Sequence, residues 1–263
     1  PATSEPVATD PATSEPVATD PVATDPATSD PATSEPDGAG AVWQGIEPNT
    51  TPMSAEDSAA VDAAFQEILD SAGDEVPGMW VGIWSAENGQ YSAAYGKAEL
   101  GGADASIDDH GRIGSVTKTF TATAILKRID SGELSLEDTI ADILPDLAAA
   151  YPDVAAITID QLLGMQSGIP DYANTGLVIQ QVVDDPTIEL TPSGIIDQVL
   201  SELDLEPAGT GGYSTTNYLI LGEMLVAIDG RPVEEIVNDV AVEAGLTSSA
   251  LGAPGDNTIT DPF

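Results

Sequence analysis

No cysteine occurs in the 263 residues, and only six Lys plus Arg stand against 45 Asp plus Glu. The missing thiols exclude a cysteine nucleophile, a thiolate zinc site and any disulfide. Export from the cell stays compatible with this, since a core of sufficient size holds without disulfides. The scarcity of basic side chains leaves a formal net charge of −39. That charge repels phosphate backbones and anionic lipid, so no nucleic acid and no membrane surface is expected as a partner. It also repels itself, a strain that salt relieves by screening, and a saline or extracellular setting fits.

His110 is the single histidine, which excludes a multi-His metal site. A Ser-His-Asp triad would have to use this residue, and it reads as a loop residue instead. The carboxylates lack calcium-loop spacing and no Gly-rich phosphate loop occurs, so no metal or cofactor is expected and the acids read as a solvated surface. Aromatics make up only 5% of the chain, and the abundance of Ala and Val points to an aliphatic core. No run of 18 apolar residues exists, which argues against membrane insertion. Neither the charged nor the apolar part of a signal peptide follows Pro1; such a leader is expected to be removed or to lie outside this sequence.

What is present divides into two parts. Residues 1–35 are seven pentapeptides of the forms PATSE, PVATD and PATSD, each with one Pro and one acid. Large apolar groups are too few there to offset the entropy of ordering, so residues 1–36 read as a disordered stalk. At about 3.1 Å per residue in a polyproline II conformation it would reach on the order of 100 Å. A spacer across a cell-wall layer and a plain solubilising tail both fit that composition. Residues 37–263 read as one domain.

Within it, Ser54-Ala55-Glu56-Asp57 resembles a helix start, and Val61, Phe65, Ile68 and Leu69 follow at helical spacing. Met79 to Ser85 reads as a strand, Asn88-Gly89 as a hairpin turn and Tyr91 to Tyr95 as the partner strand. A long apolar segment from Ser115 to Ile129 ends at Ser131-Gly132 in the manner of a helix terminus. Val116, Phe120, Ile125 and Ile129 are its expected buried side, and its position suggests a central helix. Further helical pieces are expected at Asp160–Leu163, Pro192–Leu203 and Asn217–Asp229.

The chemistry is concentrated in Ser115-Val116-Thr117-Lys118, an S-x-x-K sequence at the start of the long helix. One helical turn brings Lys118 onto the face of Ser115, where its amine can hydrogen-bond the hydroxyl. A serine at a helix N-terminus also offers its own N–H, and the positive end of the dipole, to a developing oxyanion. By itself the tetrapeptide is a weak signal, since a helix N-cap followed by a solvated Lys has the same form. The chain holds only three lysines, however: Lys97, Lys118 and Lys127.

Arg112-Ile113-Gly114-Ser115-Val116-Thr117-Lys118-Thr119-Phe120-Thr121 resembles the nucleophile segment of the serine β-lactamase/DD-peptidase superfamily, in the branch of class C β-lactamases and D-alanyl-D-alanine carboxypeptidases. Gly132 to Asp138, Leu144-Pro145, Ile157 to Leu163 and Ser167-Gly168-Ile169-Pro170-Asp171-Tyr172 continue the resemblance in order, over roughly residues 55–250. The family's second motif, Tyr-x-Asn, matches Tyr213-Ser214-Thr215. The resemblance makes Tyr213 the partner of Lys118 in moving the serine proton, and leaves open which of the two is the base. Thr215, at the substrate-binding position, stands where the family more often has Asn, and this weakens the case for an efficient β-lactamase. Met165-Gln166 replaces a more frequent His-Thr. Nothing in the form of the third motif, a Lys or His followed by Thr or Ser and Gly, comes after Tyr213 before Phe263.

The resemblance therefore implies an α+β fold: an antiparallel sheet flanked by helices beside an all-helical subdomain, the site in the cleft between, and the sheet incomplete in this chain. It implies acyl transfer through Ser115, with Lys118 and Tyr213 as the other catalytic residues. The substrate it implies is a peptidoglycan stem peptide ending in D-Ala-D-Ala, cleaved outside the cell or at the wall. A β-lactamase, a small-ester hydrolase and a catalytically silent wall-binding module are the alternatives. Without the third-motif strand, the chain as given is expected not to turn over substrate.

Overall fold

The hydroxyl of Ser54 accepts the backbone N–H of Asp57 and so caps α1 (Ala55–Ala72), as the Ser-x-x-acid spacing predicts. The structure is a computed structural model that describes residues 49–253 apart from Pro186, and the side chain of Asp74 is not described. The predicted stalk, residues 1–36, lies outside the described residues.

After α1 the chain forms an antiparallel hairpin of β1 (Gly78–Ser85) and β2 (Gly89–Gly96), paired from Gly78↔Gly96 to Ser85↔Gly89. Gly89 is required at its turn, because φ is +85° and a Cβ would stand 2.3 Å from the Thr51 carbonyl oxygen. Helix α1 is joined to the hairpin by Phe65, whose ring stacks on Tyr95 at 6.2 Å between centroids. The Tyr91 and Tyr95 hydroxyls both donate to the Asp62 carboxylate. Those donors hold the Asp62 carboxyl below the ordinary carboxylate range. Of the predicted inward residues of α1, Leu69 is buried but Ile68 is 52% exposed.

The rest is helical. It comprises α2 (Thr117–Asp130), α3 (Ile140–Ile143), α4 (Pro145–Ala150), α5 (Ile159–Leu163), α6 (Leu177–Asp184), α7 (Pro192–Glu202), α8 (Thr215–Asp229) and α9 (Val233–Glu243). Helix α8, and not α2, is the most deeply buried of them. Ile220, Leu221, Met224 and Leu225 are fully enclosed, and α2, α5, α7 and α9 pack around it. Each such side chain contributes about 1.5–3 kcal/mol by leaving water. Helix α2 buries Thr121, Ala124 and Ile125. Phe120 and Ile129 flank that stripe, whereas Val116 is 57% exposed. The predicted buried side fails at Val116 because this residue belongs to a 3₁₀ turn, Gly114–Val116, ahead of the α-helix. Its side chain then falls out of the 3.6-residue period.

The architecture is the expected helix-rich α+β fold, with a two-stranded sheet among the described residues. The few cations tie its parts together. Arg128 on α2 and Arg231 after α8 both pair with Asp229, Arg231 also reaches Asp239, and Lys127 pairs with Glu243 on α9. Arg231, and after it Arg128, hold the Asp229 carboxyl below its ordinary range.

Against these few pairs stands the mutual repulsion of an acidic surface. Exposed pairs such as Lys97–Asp104 stabilise by at most about 1 kcal/mol. Screening should therefore remove more repulsion than attraction, as the Debye length falls from about 10 Å at 0.1 M salt to about 3 Å at 1 M. The melting temperature is expected to rise by several degrees over that range of KCl. A flat or falling value, followed by circular dichroism, would show that the pairs dominate.

Candidate active site

Gly114 turns the chain into the 3₁₀ turn with φ +54°, a conformation that only glycine adopts freely. Ser115 lies on that turn and Lys118 in the first turn of α2, and the Lys118 ammonium donates to Ser115 Oγ at 3.2 Å. The S-x-x-K spacing thus produces the predicted contact across a junction between 3₁₀ and α geometry.

Tyr213 arrives from 98 residues further along the chain, and its hydroxyl donates to Ser115 Oγ at 2.6 Å. Lys118 Nζ stands 4.9 Å from the centroid of the Tyr213 ring and 5.7 Å from that of Tyr218. A second donation from the ammonium goes to Thr215 Oγ1 at 3.3 Å. All four predicted site residues therefore meet. Thr215, expected at the substrate, gives its hydroxyl to Lys118. The Tyr213 phenol is held below its ordinary range, first by the Lys118 ammonium and then by the Ser115 hydroxyl. His110 lies in the loop before the 3₁₀ turn.

The loop that presents Tyr213 is fixed to a second loop by a ladder of backbone bonds. Glu206 N–H donates to Gly168 O at 2.9 Å, Gly209 N–H to Gln166 O at 2.8 Å and Gly212 N–H to Met165 O at 3.0 Å. Met165 itself is left-handed, with φ +57°, a conformation costing a side-chain-bearing residue about 1–2 kcal/mol. Its sulfur accepts the Ser214 N–H at 3.4 Å. The Met-Gln departure from the family pattern is thus part of the support for Tyr213.

Asp171 has no role in the sequence reading, yet it is a buried acid beside the site. Its carboxylate accepts Thr215 N–H at 3.0 Å, Ala173 N–H at 3.2 Å and the Asn174 amide at 2.6 Å. The N-terminus of α8, where Thr215 begins, favours a negative charge for the same reason. Buried Asn217 adds a second anchor, accepting the Ser167 hydroxyl at 2.6 Å and donating to Leu162 O at 3.3 Å. The Ser-Gly-Ile-Pro-Asp-Tyr stretch was the available signal, but which backbone groups it would face is decided by tertiary contact.

A cavity of about 600 Å³ opens beside Ser115, Lys118 and Thr215 and extends along α8 to Glu223 and Val226. A hydroxyl held between an ammonium and a phenol at a helix start, open to such a cavity, can attack a carbonyl and pass its proton on.

The protein-family model described as Beta-lactamase matches residues 61–261. Penicillin-binding protein 4 of Amycolatopsis lactamdurans is 29% identical over 190 residues, which are 67% of this chain and 45% of that protein. The D-amino acid amidase of Ochrobactrum anthropi SV3, solved with D-phenylalanine, superposes with a TM-score of 0.63 at 22% identity, over 76% of this chain and 55% of its own. The octameric penicillin-binding protein homologue of Pyrococcus abyssi does so at 0.59 and 23%, over 73% and 44%. Both structural likenesses are of fold alone. The chain spans about half the length of these relatives.

An ammonium beside a phenol stabilises the phenolate. Tyr213 is therefore expected to titrate below the ordinary tyrosine value of about 10, and Lys118→Ala should move it back up. Difference absorbance of wild type and Tyr213→Phe through alkaline pH would read this; an unshifted Tyr213 would contradict it.

Proposed function

The chain belongs to the beta-lactamase family, and from that membership we propose that it is a serine hydrolase in which Ser115 forms a covalent acyl-enzyme. The observation that carries the proposal is the double contact on Ser115 Oγ, from Lys118 at 3.2 Å and from Tyr213 at 2.6 Å. Loss of a proton from Tyr213 or Lys118 reverses one of these bonds, so that the serine hydroxyl becomes the donor. Oγ then bonds to the substrate carbonyl carbon while its proton passes to the base. The same proton goes to the leaving nitrogen as the C–N bond breaks, and water hydrolyses the ester by the reverse path. Thr215 keeps the ammonium aimed at Oγ, and Asp171 holds Thr215.

The proposed substrate is a peptide ending in D-Ala-D-Ala, met outside the cytoplasm. Similarity to a penicillin-binding protein supports that class, and the acidic, cysteine-free composition is compatible with the location. Thr215 lacks the amide that Asn would offer a carbonyl, which argues against efficient β-lactam hydrolysis. An amide of a D-amino acid is a smaller substrate of the same chemistry, supported by the fold of the amidase. The intact contacts among Ser115, Lys118 and Tyr213 argue against a silent binding module. Turnover by the 263-residue chain is proposed to be slow. A helix start offers only the serine N–H to the oxyanion, and no residue of β1 or β2 lines the cavity among the described residues. A missing donor typically costs about 10²–10³-fold.

A fluorophosphonate or penicillin should label Ser115, and Ser115→Ala should abolish labelling. Lys118→Ala and Tyr213→Phe should each slow it by about 10²–10⁴-fold with folding retained. The wild-type rate should climb with pH, because the form that accepts the serine proton is the deprotonated one. An adduct located on another residue by mass spectrometry would overturn the assignment. So would unchanged rates in both variants. Comparison of a D-Ala-D-Ala peptide, a chromogenic cephalosporin and a short ester separates the substrate classes.

A further inference from the structure

After α9 the chain turns back on itself. Gly245, at φ +76°, lets it leave the helix, and Ser249 N–H donates to Leu246 O at 3.1 Å to close the reversal. The residues that follow, Ala250 to Ala253, form no helix or strand. One side chain of α9 holds them. Asn238 donates its amide N–H to Leu251 O at 3.0 Å and accepts Leu251 N–H at 2.7 Å. Among the described residues these are the only hydrogen bonds that Ala250 to Ala253 make. The amide thus does for Leu251 what a neighbouring strand does in a sheet: it satisfies both backbone groups and fixes the direction of the side chain.

Leu251 stands between two cavities. On one side is the cavity of about 600 Å³ that contains Ser115, of which Leu251 and Gly252 form a wall. On the other is a small apolar cavity of about 50 Å³ beside Ile113 and Phe120, closed by Val237 and Ala241 of α9. Thr117 and Leu251 are the two residues that line both. Thr117 is fixed by the first turn of α2. Leu251 is half-buried on a coil, and its place depends on the Asn238 amide. A leucine there presents an apolar face to a group bound beside Ser115 and keeps it out of the smaller cavity. No step of acyl transfer uses Asn238, yet both hydrogen-bonding ends of its side chain are engaged by one residue of the wall.

We infer that Leu251 is a specificity-determining residue of the Ser115 site and that Asn238 is its positioning residue. Leu251 sets the size of the apolar group that an acyl donor can bring, so compact donors are taken and bulky ones are held off. The inference rests on the acyl-enzyme reading of Ser115 and deepens it to a substrate class: acyl donors whose apolar substituent is nearer to a methyl than to an arylalkyl group. An apolar wall discriminates by volume, at about tenfold or more for each methylene gained or lost. It does so only while it is held in place; a leucine loose on a coil would yield to a larger group.

The test compares two fluorophosphonates that differ in one apolar substituent, methyl in one and phenylbutyl in the other, by their second-order rates of labelling Ser115 in the 263-residue chain. The ratio of the bulky to the compact rate is the readout, because a general loss of structure lowers both rates together and leaves it unmoved. Leu251→Ala, which joins the two cavities, should raise the ratio by about tenfold, and Leu251→Phe should lower it. Asn238→Ala should move it in the same direction as Leu251→Ala, by a smaller factor. In the double variant the ratio should match that of Leu251→Ala alone, since Asn238 acts only through that side chain. A ratio unmoved by both Leu251 substitutions overturns the specificity role. A ratio that Asn238→Ala leaves unchanged, or that rises further in the double variant, overturns the positioning role. Failure of the acyl-enzyme reading looks different: neither probe then labels Ser115, and the inference falls with it.

Discussion

The site depends on an ammonium that is kept away from carboxylates in a chain that has 45 of them. Among the described residues Lys118 makes no ion pair; its partners are the hydroxyls of Ser115 and Thr215 and the rings of Tyr213 and Tyr218. A carboxylate at 4 Å would hold the proton on that lysine by about 4 kcal/mol at an effective dielectric constant of 20. It would also oppose a phenolate at Tyr213. Hydroxyl partners orient the ammonium without neutralising it, which leaves its charge available to lower the Tyr213 phenol.

That requirement explains how the neighbouring acid is treated. Asp171 is buried beside Thr215, and its oxygens are occupied by N–H donors of Thr215, Ala173 and Asn174. The donors satisfy the carboxylate locally, so it has no need of the lysine. Arg128, Arg231 and Lys127 are used at the opposite ends of α2 and α8, where Arg128, Asp229 and Arg231 join the helices. With cations this scarce, the separation of Lys118 from the cations that join the helices is the main electrostatic decision of the fold.

Much of this was legible in the sequence where a short pattern acts through local geometry. The Ser54 cap, the hairpin around Asn88-Gly89 and the Ser115–Lys118 contact each depend on residues within a few positions of one another, and each stands in the structure as its spacing implies. Helix α8 begins two residues before its predicted start at Asn217, because Asp171 accepts the N–H of Thr215 from 44 residues away. Helices α6 and α9 are absent from the reading, although both carry apolar residues at helical spacing. The exposure of Val116 was equally hidden, since a 3₁₀ turn before an α-helix leaves no mark in the apolar period.

The support for Tyr213 lies at the limit of what sequence can disclose. Its hydroxyl reaches Ser115 only if the loop through Gly209 and Gly212 keeps its place, and that loop is held by carbonyls of Met165 and Gln166. For Met165 to present both its carbonyl and its sulfur to this loop, its backbone takes a left-handed conformation that glycine would adopt more easily. Glycine would supply the conformation and the carbonyl but no acceptor for the Ser214 N–H. A long, flexible thioether supplies a weak acceptor and fills an irregular gap at the same time. The strain at Met165 is thus the local cost of fixing a phenol 48 residues later against a serine 50 residues earlier. No propensity scale contains that relation, because it exists only once both loops have folded onto the start of α8.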